Sequence, residues 1–158
     1  MHMPKRTANN VIENPLALEE QVCFALSVAA RTVVAVYRPV LAPLGLTHPQ
    51  YLVMLALWGE EPVTVKRLGA MLQLDSATLS PLLKRLEALE LITRERDTAD
   101  ERSLAIRLTP AGRKLREKAL EVPPTIVEKL GMSLEELRDL HAKLTDVIGA
   151  ATEALEEV

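Results

Sequence analysis

The sequence predicts a mainly α-helical chain with one small β-wing, and three observations lead there. Hydrophobic residues make up 48% of the 158 positions but aromatics only 3%, so the core is built of Leu, Ala and Val, which favours helices packed on helices. Helix-start signals, a capping side chain followed by a first-turn proline, glutamine or glutamate, recur along the chain. Only residues 91–109 break that pattern, with two short runs that alternate apolar and polar residues at the period of a half-buried strand.

Asn14 and Pro15 offer a cap and a first-turn proline and open a long helix through roughly Leu41. Thr47, His48, Pro49 and Gln50 form a capping box that starts a second helix, carrying Leu52, Leu55 and Ala56 to about Trp58. Thr64 caps a short helix from Val65 to Leu72. After a brief turn, either Asp75 or Ser76 caps the next helix, in which Leu79, Leu82, Leu83, Leu86 and Leu89 recur at helical spacing as one buried stripe. Ser76, Thr78, Ser80, Lys84 and Arg85 occupy its opposite face. Pro81 removes one backbone hydrogen bond, but it lies near enough to the first turn to kink the helix rather than end it. Two strands follow, 91–96 and 103–109, with Leu104, Ile106 and Leu108 turned to the core and a charged tip, Asp97 to Arg102, between them. Thr109 and Pro110 open a further helix, and Ser133 with Glu136 forms a second capping box leading a helix to near Leu155.

A helix with short hydroxyls at its start and cations further along, followed by a β-hairpin, has the layout of a winged helix-turn-helix and so of a DNA reader. Charge supports this in its distribution, not in its sum. The whole chain carries −3, but residues 64–113 hold nine Lys and Arg against seven Asp and Glu, a net +2 that leaves −5 for the rest. An acidic body behind a mildly basic head turns one face towards nucleic acid. The chain accordingly divides into a winged helix-turn-helix region, 47–109, flanked by dimerisation helices in 14–46 and 110–158. Leu18, Val22, Ala25, Ala29 and Val33 share one side of the first helix. Leu134, Leu137, Leu144, Ile148, Ala151 and Leu155 do so in the last, with His141 interrupting. These stripes flank the reading head instead of enclosing it, and a lone winged helix reads too few bases for tight binding. They predict an isologous homodimer on a pseudo-palindromic operator in double-stranded DNA, its two recognition helices about 34 Å apart.

Other classes are disfavoured. No apolar run approaches the length of a membrane span, no signal peptide is visible, and no membrane partner is expected. The single cysteine, Cys23, forms no intramolecular disulfide, which points to the cytoplasm. His2, His48 and His141 are scattered without ligand spacing, so neither a metal nor another cofactor is expected. A thiol peroxidase sets its cysteine at an activating loop or helix N-terminus, whereas Cys23 is expected about two turns into the first helix.

The segment from Leu74 to Thr109 resembles MarR-type bacterial transcription regulators, and the resemblance runs from about residue 16 to the C-terminus. Its most telling part is the tip Asp97-Thr98-Ala99-Asp100-Glu101-Arg102-Ser103, an Asp-rich wing with an Arg two residues after an Asp. The resemblance implies that Arg102 enters a minor groove, where negative potential is concentrated, and that Asp100 holds its guanidinium. Ser76, Thr78, Ser80, Lys84, Arg85 and Arg94 complete the expected DNA contacts.

The run Gln21-Val22-Cys23-Phe24-Ala25-Leu26, with Tyr37, the run Pro49-Gln50-Tyr51-Leu52 and Trp58, is similar to the organic hydroperoxide resistance regulator (OhrR) branch of that family. In that branch the cysteine is a peroxide-reactive thiolate, hydrogen-bonded by tyrosines of the partner subunit. This implies Cys23 as the sensor and Tyr37 as one donor. Tyr37 lies fourteen residues after Cys23, about 21 Å along a continuous helix, so contact comes from the other subunit. The pattern departs at Ser27 and at His48, where a second tyrosine is expected; His48 either takes that donor's place or faces solvent. The implied function is a repressor, not an enzyme, whose signal is an organic hydroperoxide that oxidises Cys23 to a sulfenic acid. With no second cysteine, the next product is a mixed disulfide with a low-molecular-weight thiol, a cyclic sulfenamide or an over-oxidised acid, and DNA is released. The alternative is a MarR-type repressor released by a phenolic or lipophilic ligand, with Cys23 structural.

Overall fold

The computed structural model describes residues 14–96 and 104–157. The chain divides into two compact units, Met1–Ala35 and Val36–Val158. In the first, Asn14 starts a turn rather than a helix: its Oδ1 accepts the Leu16 N–H at 3.2 Å and its carbonyl accepts the Ala17 N–H at 3.1 Å. A single 3-10 turn, Leu18–Glu20, follows. Gln21 is extended, and its side-chain amide donates to the carbonyls of Pro15 at 2.7 Å and Ala17 at 3.1 Å. These local side-chain bonds compete with helix formation, so helix α1, Val22–Leu41, begins later than the Asn14–Pro15 signal suggests. Val22–Leu44 has a mean hydropathy of 1.4 and is long and apolar enough, by length and composition, to cross a membrane. That corrects the sequence expectation, because Arg31 and Arg38 interrupt the run yet leave its average high.

The second unit is built on capped helices. Gly45, at φ 70°, turns the chain out of the 3-10 turn Ala42–Leu44. Helix α2, His48–Gly59, starts on the predicted capping box, with Gln50 N–H donating to Thr47 Oγ1 at 3.4 Å and Thr47 N–H to Gln50 Oε1 at 3.0 Å. Strand β1, Val63–Thr64, leads into α3, Val65–Leu72, and then α4, Ser76–Ala88, which runs through Pro81 without stopping. Leu79, Leu82, Leu83 and Leu86 are buried as the stripe predicts, but Leu89 is 49% exposed because α4 has already ended and Glu90, at φ 58°, turns the chain. Met54, Leu57, Leu68, Leu83, Leu86 and Ile106 are among the residues sealed in the core, each such side chain contributing about 1.5–3 kcal/mol by leaving water.

Strands β2, Ile92–Arg96, and β3, Leu104–Leu108, form the wing. The sheet order is β1-β3-β2, all antiparallel, with Val63 opposite Ile106 and Ile92 opposite Leu108. Two residues are too few to show a period, so β1 is invisible to sequence patterning. Ile106 and Leu108 face the core as expected; Leu104 does not, since it lies at the tip end of the hairpin and is 42% exposed. Helix α5, Pro110–Ala119, is capped by Thr109, whose hydroxyl accepts the Gly112 N–H at 3.0 Å. Helix α6, Val122–Leu130, is absent from the sequence reading; Pro123 and Pro124 in its first turn and Gly131 just past its end are its signals. Helix α7, Leu134–Glu156, starts on the predicted Ser133–Glu136 capping box and buries none of its residues.

Candidate nucleic-acid interface and thiol site

The turn between α3 and α4 is tight because Gln73 takes a left-handed conformation, φ 53°, and the Leu74 N–H closes back on the Gly69 carbonyl at 2.9 Å. A Cβ on Gly69 would approach the Leu74 carbonyl oxygen to 2.9 Å, so the close passage requires glycine. Of the two candidate caps of α4, Asp75 is the one used: its Oδ1 accepts the Thr78 N–H at 2.7 Å, and that bond holds its carboxyl below the usual range.

Ser76, Thr78, Lys84 and Arg85 are exposed on α4, and Ser80 is half-buried. At 100° per residue they do not form one narrow row. Ser76 and Ser80 lie on one flank and Thr78 and Arg85 on the other, with Ala77, Pro81 and Lys84 on the arc between. Ala77 and Pro81 are exposed central positions that a search for polar side chains passes over. Arg94 is less free than its sequence position suggests: its guanidinium forks onto Glu87 at 3.2 and 3.3 Å, bracing β2 against α4. The same hydrogen bonds hold the Glu87 carboxyl below its usual value. Asp100 and Arg102 lie outside the described residues.

Cys23 is exposed and is the second residue of α1, in the first turn rather than two turns in, which corrects the sequence expectation. The late start of α1 at Val22 is the reason. First-turn backbone N–H groups have no partners within the helix. The Ser27 hydroxyl donates to the Cys23 carbonyl at 2.9 Å, so it is engaged with the backbone.

In the second unit, Tyr37 meets His48 edge-to-face, with centroids 4.9 Å apart, and Tyr51 lies 6.0 Å from Tyr37. Tyr51 is the residue that sequence reasoning missed as a site member, and its signal is position: His48 and Tyr51 are three apart on α2 and share a face. Burial raises the phenol pKa of Tyr37 and Tyr51, and Tyr37 adds to the rise at Tyr51. Burial lowers that of His48, keeping the ring neutral at neutral pH. No hydrogen bond to these three polar tips is found among the described residues. Among the described residues there is also no group of three or more metal-ligating side chains.

A capped helix exposed beside an antiparallel β-wing, mounted on a helical core, defines a winged helix-turn-helix protein, the architecture of DNA-reading regulators. The family model for the transcriptional regulator SarA/Rot matches residues 35–119. The organic hydroperoxide resistance transcriptional regulator of Bacillus subtilis strain 168 is 46% identical over 129 residues, 82% of this chain and 88% of that protein. The crystal structure of AbfR of Staphylococcus epidermidis is 35% identical with a TM-score of 0.72, covering 86% of this chain and 94% of that one. Over-oxidised AbfR bound to DNA matches with 34% identity and a TM-score of 0.70, covering 85% and 94%. The chain belongs to the MarR/SarA family of transcriptional regulators, a family of DNA-binding proteins and not of enzymes.

Proposed function

We propose that this protein is a homodimeric, cytoplasmic repressor that releases its operator when organic hydroperoxides oxidise Cys23. The observation that carries the reading is the exposed Cys23 thiol in the first turn of α1, on a chain 46% identical to an organic hydroperoxide resistance regulator. The terminal helices supply the dimer: α7 buries none of its own residues, and Val22, Leu134, Ile148 and Leu155 are all at least half exposed. Such apolar faces suit a partner helix, and the same use accounts for the membrane-like hydropathy of α1. Tyr37, His48 and Tyr51 then form a cluster of polar tips for the partner subunit's thiol, with Tyr51 restoring the second tyrosine that His48 displaces.

The chemistry balances without a cofactor. The Cys23 thiolate attacks the distal peroxide oxygen, the O–O bond breaks, and the alkoxide leaves as the alcohol after taking a proton, giving a sulfenic acid. A low-molecular-weight thiol then attacks that sulfur and expels water, leaving a mixed disulfide. Over-oxidised AbfR has been solved on DNA, so the added bulk of a mixed disulfide is the better candidate for release than over-oxidation. A wedge in the dimer interface moves the two reading heads off a fixed half-site spacing. In the bound state α4 enters the major groove with Ser76, Thr78, Ser80, Lys84 and Arg85, while Arg102, held by Asp100, enters the minor groove.

Operator binding with and without tert-butyl hydroperoxide and a small thiol tests this, wild type against Cys23→Ser. Oxidant should release wild type and leave Cys23→Ser bound; release of Cys23→Ser as well would sink the sensing role. A groove of about 300 Å³ lined by Tyr51, Leu55, Trp58, Leu120 and Pro123 favours a second reading, release by a lipophilic ligand. Peroxide-insensitive binding in wild type, with a phenolic compound releasing DNA, would select it.

A further inference from the structure

Glu61 stands at the corner between α2 and β1. Continuing the β1–β3 register beyond Val63 and Ile106 sets Glu61 opposite Leu108. The Leu108 N–H faces the β1 side of β3, beyond the last β1–β3 pair, and goes to the Glu61 side chain, reaching Oε2 at 2.7 Å. Oε1 accepts the Arg113 Nε–H at 2.8 Å. One carboxylate therefore joins the end of α2, the last residue of the wing's middle strand and the start of α5. Its side chain is 23% exposed, against 49% for Glu60 and 61% for Glu95 in their ion pairs, so the carboxylate is half-buried although Arg113 opposite it is 52% exposed. Leu108 is 5% exposed, and without the carboxylate its N–H would be a buried donor lacking an acceptor.

We propose that Glu61 is a positioning residue for DNA recognition, fixing the pitch of the β-wing against α2 and α5 so that wing tip and α4 engage DNA together. Without it, β3 keeps its full pairing with β2, from Ile92–Leu108 to Arg96–Leu104, but loses its tether on the β1 side beyond Val63. The hairpin then swings as a unit. Thr109 and Trp58 still tie α5 to β2 and α2 through the Leu91 and Gly112 carbonyls, so the helical frame stays while the wing loosens. The proposal rests on the DNA reading above, with Arg102 as the wing's minor-groove contact.

A double-mutant cycle on operator affinity tests it, using wild type, Arg102→Ala, Glu61→Ala and the double variant, with thermal melts to confirm folding. Arg102→Ala should weaken binding about tenfold, and Glu61→Ala, which leaves no side-chain acceptor for the Leu108 N–H, several-fold. If Glu61 acts through the wing, the double variant is no weaker than Arg102→Ala within about twofold. Hydroxyl-radical footprints of Glu61→Ala should lose protection where the wing touches DNA and keep it where α4 binds. Losses that multiply, or protection lost evenly over the site, overturn the proposal. A fully active Arg102→Ala protein overturns the wing reading itself, and the two failures are thereby told apart. If Glu61→Ala does not fold, Arg113→Gln, which leaves the Leu108 bond in place, completes the same cycle with a smaller loss.

Discussion

Gly112→Ala is the sharpest check on how the wing is mounted. Gly112 is buried in the first turn of α5, where alanine by itself would gain about 1 kcal/mol of helix propensity. Its Cβ, however, would run into the Leu91 carbonyl oxygen, with the Leu91 carbonyl carbon at 3.1 Å and Leu108 Cδ2 at 3.3 Å. That carbonyl cannot retreat freely, because it accepts the Thr109 N–H at 3.0 Å. Relief means lifting α5 off β2. Doing so breaks that bond, the Thr109 hydroxyl bond to the Glu90 carbonyl at 2.6 Å and the Trp58 indole bond to the Gly112 carbonyl at 2.9 Å. Two or three bonds at about 1 kcal/mol each, with about 1–3 kcal/mol of overpacking, outweigh the propensity gain and leave a net loss of about 3 kcal/mol. Urea unfolding followed by fluorescence reads this directly, since Trp58 is the chain's single tryptophan and its own hydrogen bond is at stake. Gly59→Ala is the control, as a Cβ there meets nothing within 4 Å. An unchanged midpoint and unchanged emission in Gly112→Ala would refute the packing argument.

Two further outcomes are expected. Burial holds the His48 imidazole below its ordinary 6.5, so the unfolded chain binds the proton more readily. Its contribution to stability is complete above that value and is lost as pH falls below it. The denaturation midpoint should therefore drop between about pH 7 and pH 5, and His48→Gln should flatten that part of the profile; an equal slope in the variant assigns the effect elsewhere. Lys84, exposed in the middle of the α4 face, should act on phosphate: Lys84→Ala weakens binding to all operator variants alike and lowers the salt slope by about one for each phosphate it no longer neutralises. Selective weakening for one base at one position would instead make Lys84 a base reader.

Capping chemistry was the most legible part of the fold. Thr47, Thr64, Ser133 and Thr109 each start the predicted helix, because an N-cap is a bond between a side chain and a backbone N–H three residues on and needs nothing distant. The same locality explains the failures. At Asn14 the capping signal is real, but the Gln21 amide takes the carbonyls of Pro15 and Ala17, and α1 starts only at Val22. That delay carries Cys23 from the body of the helix to its first turn. Leu89 and Leu104 fit their periods but lie beyond the ends of the packed layer, where a period no longer reports burial.

The sequence by itself determined helices α2, α3, α4, α5 and α7, the two longer strands of the wing and the polar face of α4, since each is written in residues less than about two turns apart; it missed α6, β1 and the start of α1. It also contained Cys23 and Tyr37 as candidates, through their likeness to a regulator branch. Only the tertiary structure decided which residues meet. Tyr51 joins Tyr37 and His48 because α2 turns its N-terminal face to the end of α1 within the second unit. Arg94 is committed to Glu87, and Glu61 reaches Leu108 and Arg113 across 47 and 52 residues of chain. Such pairings depend on how the elements stack, and no local pattern of caps or periods encodes that.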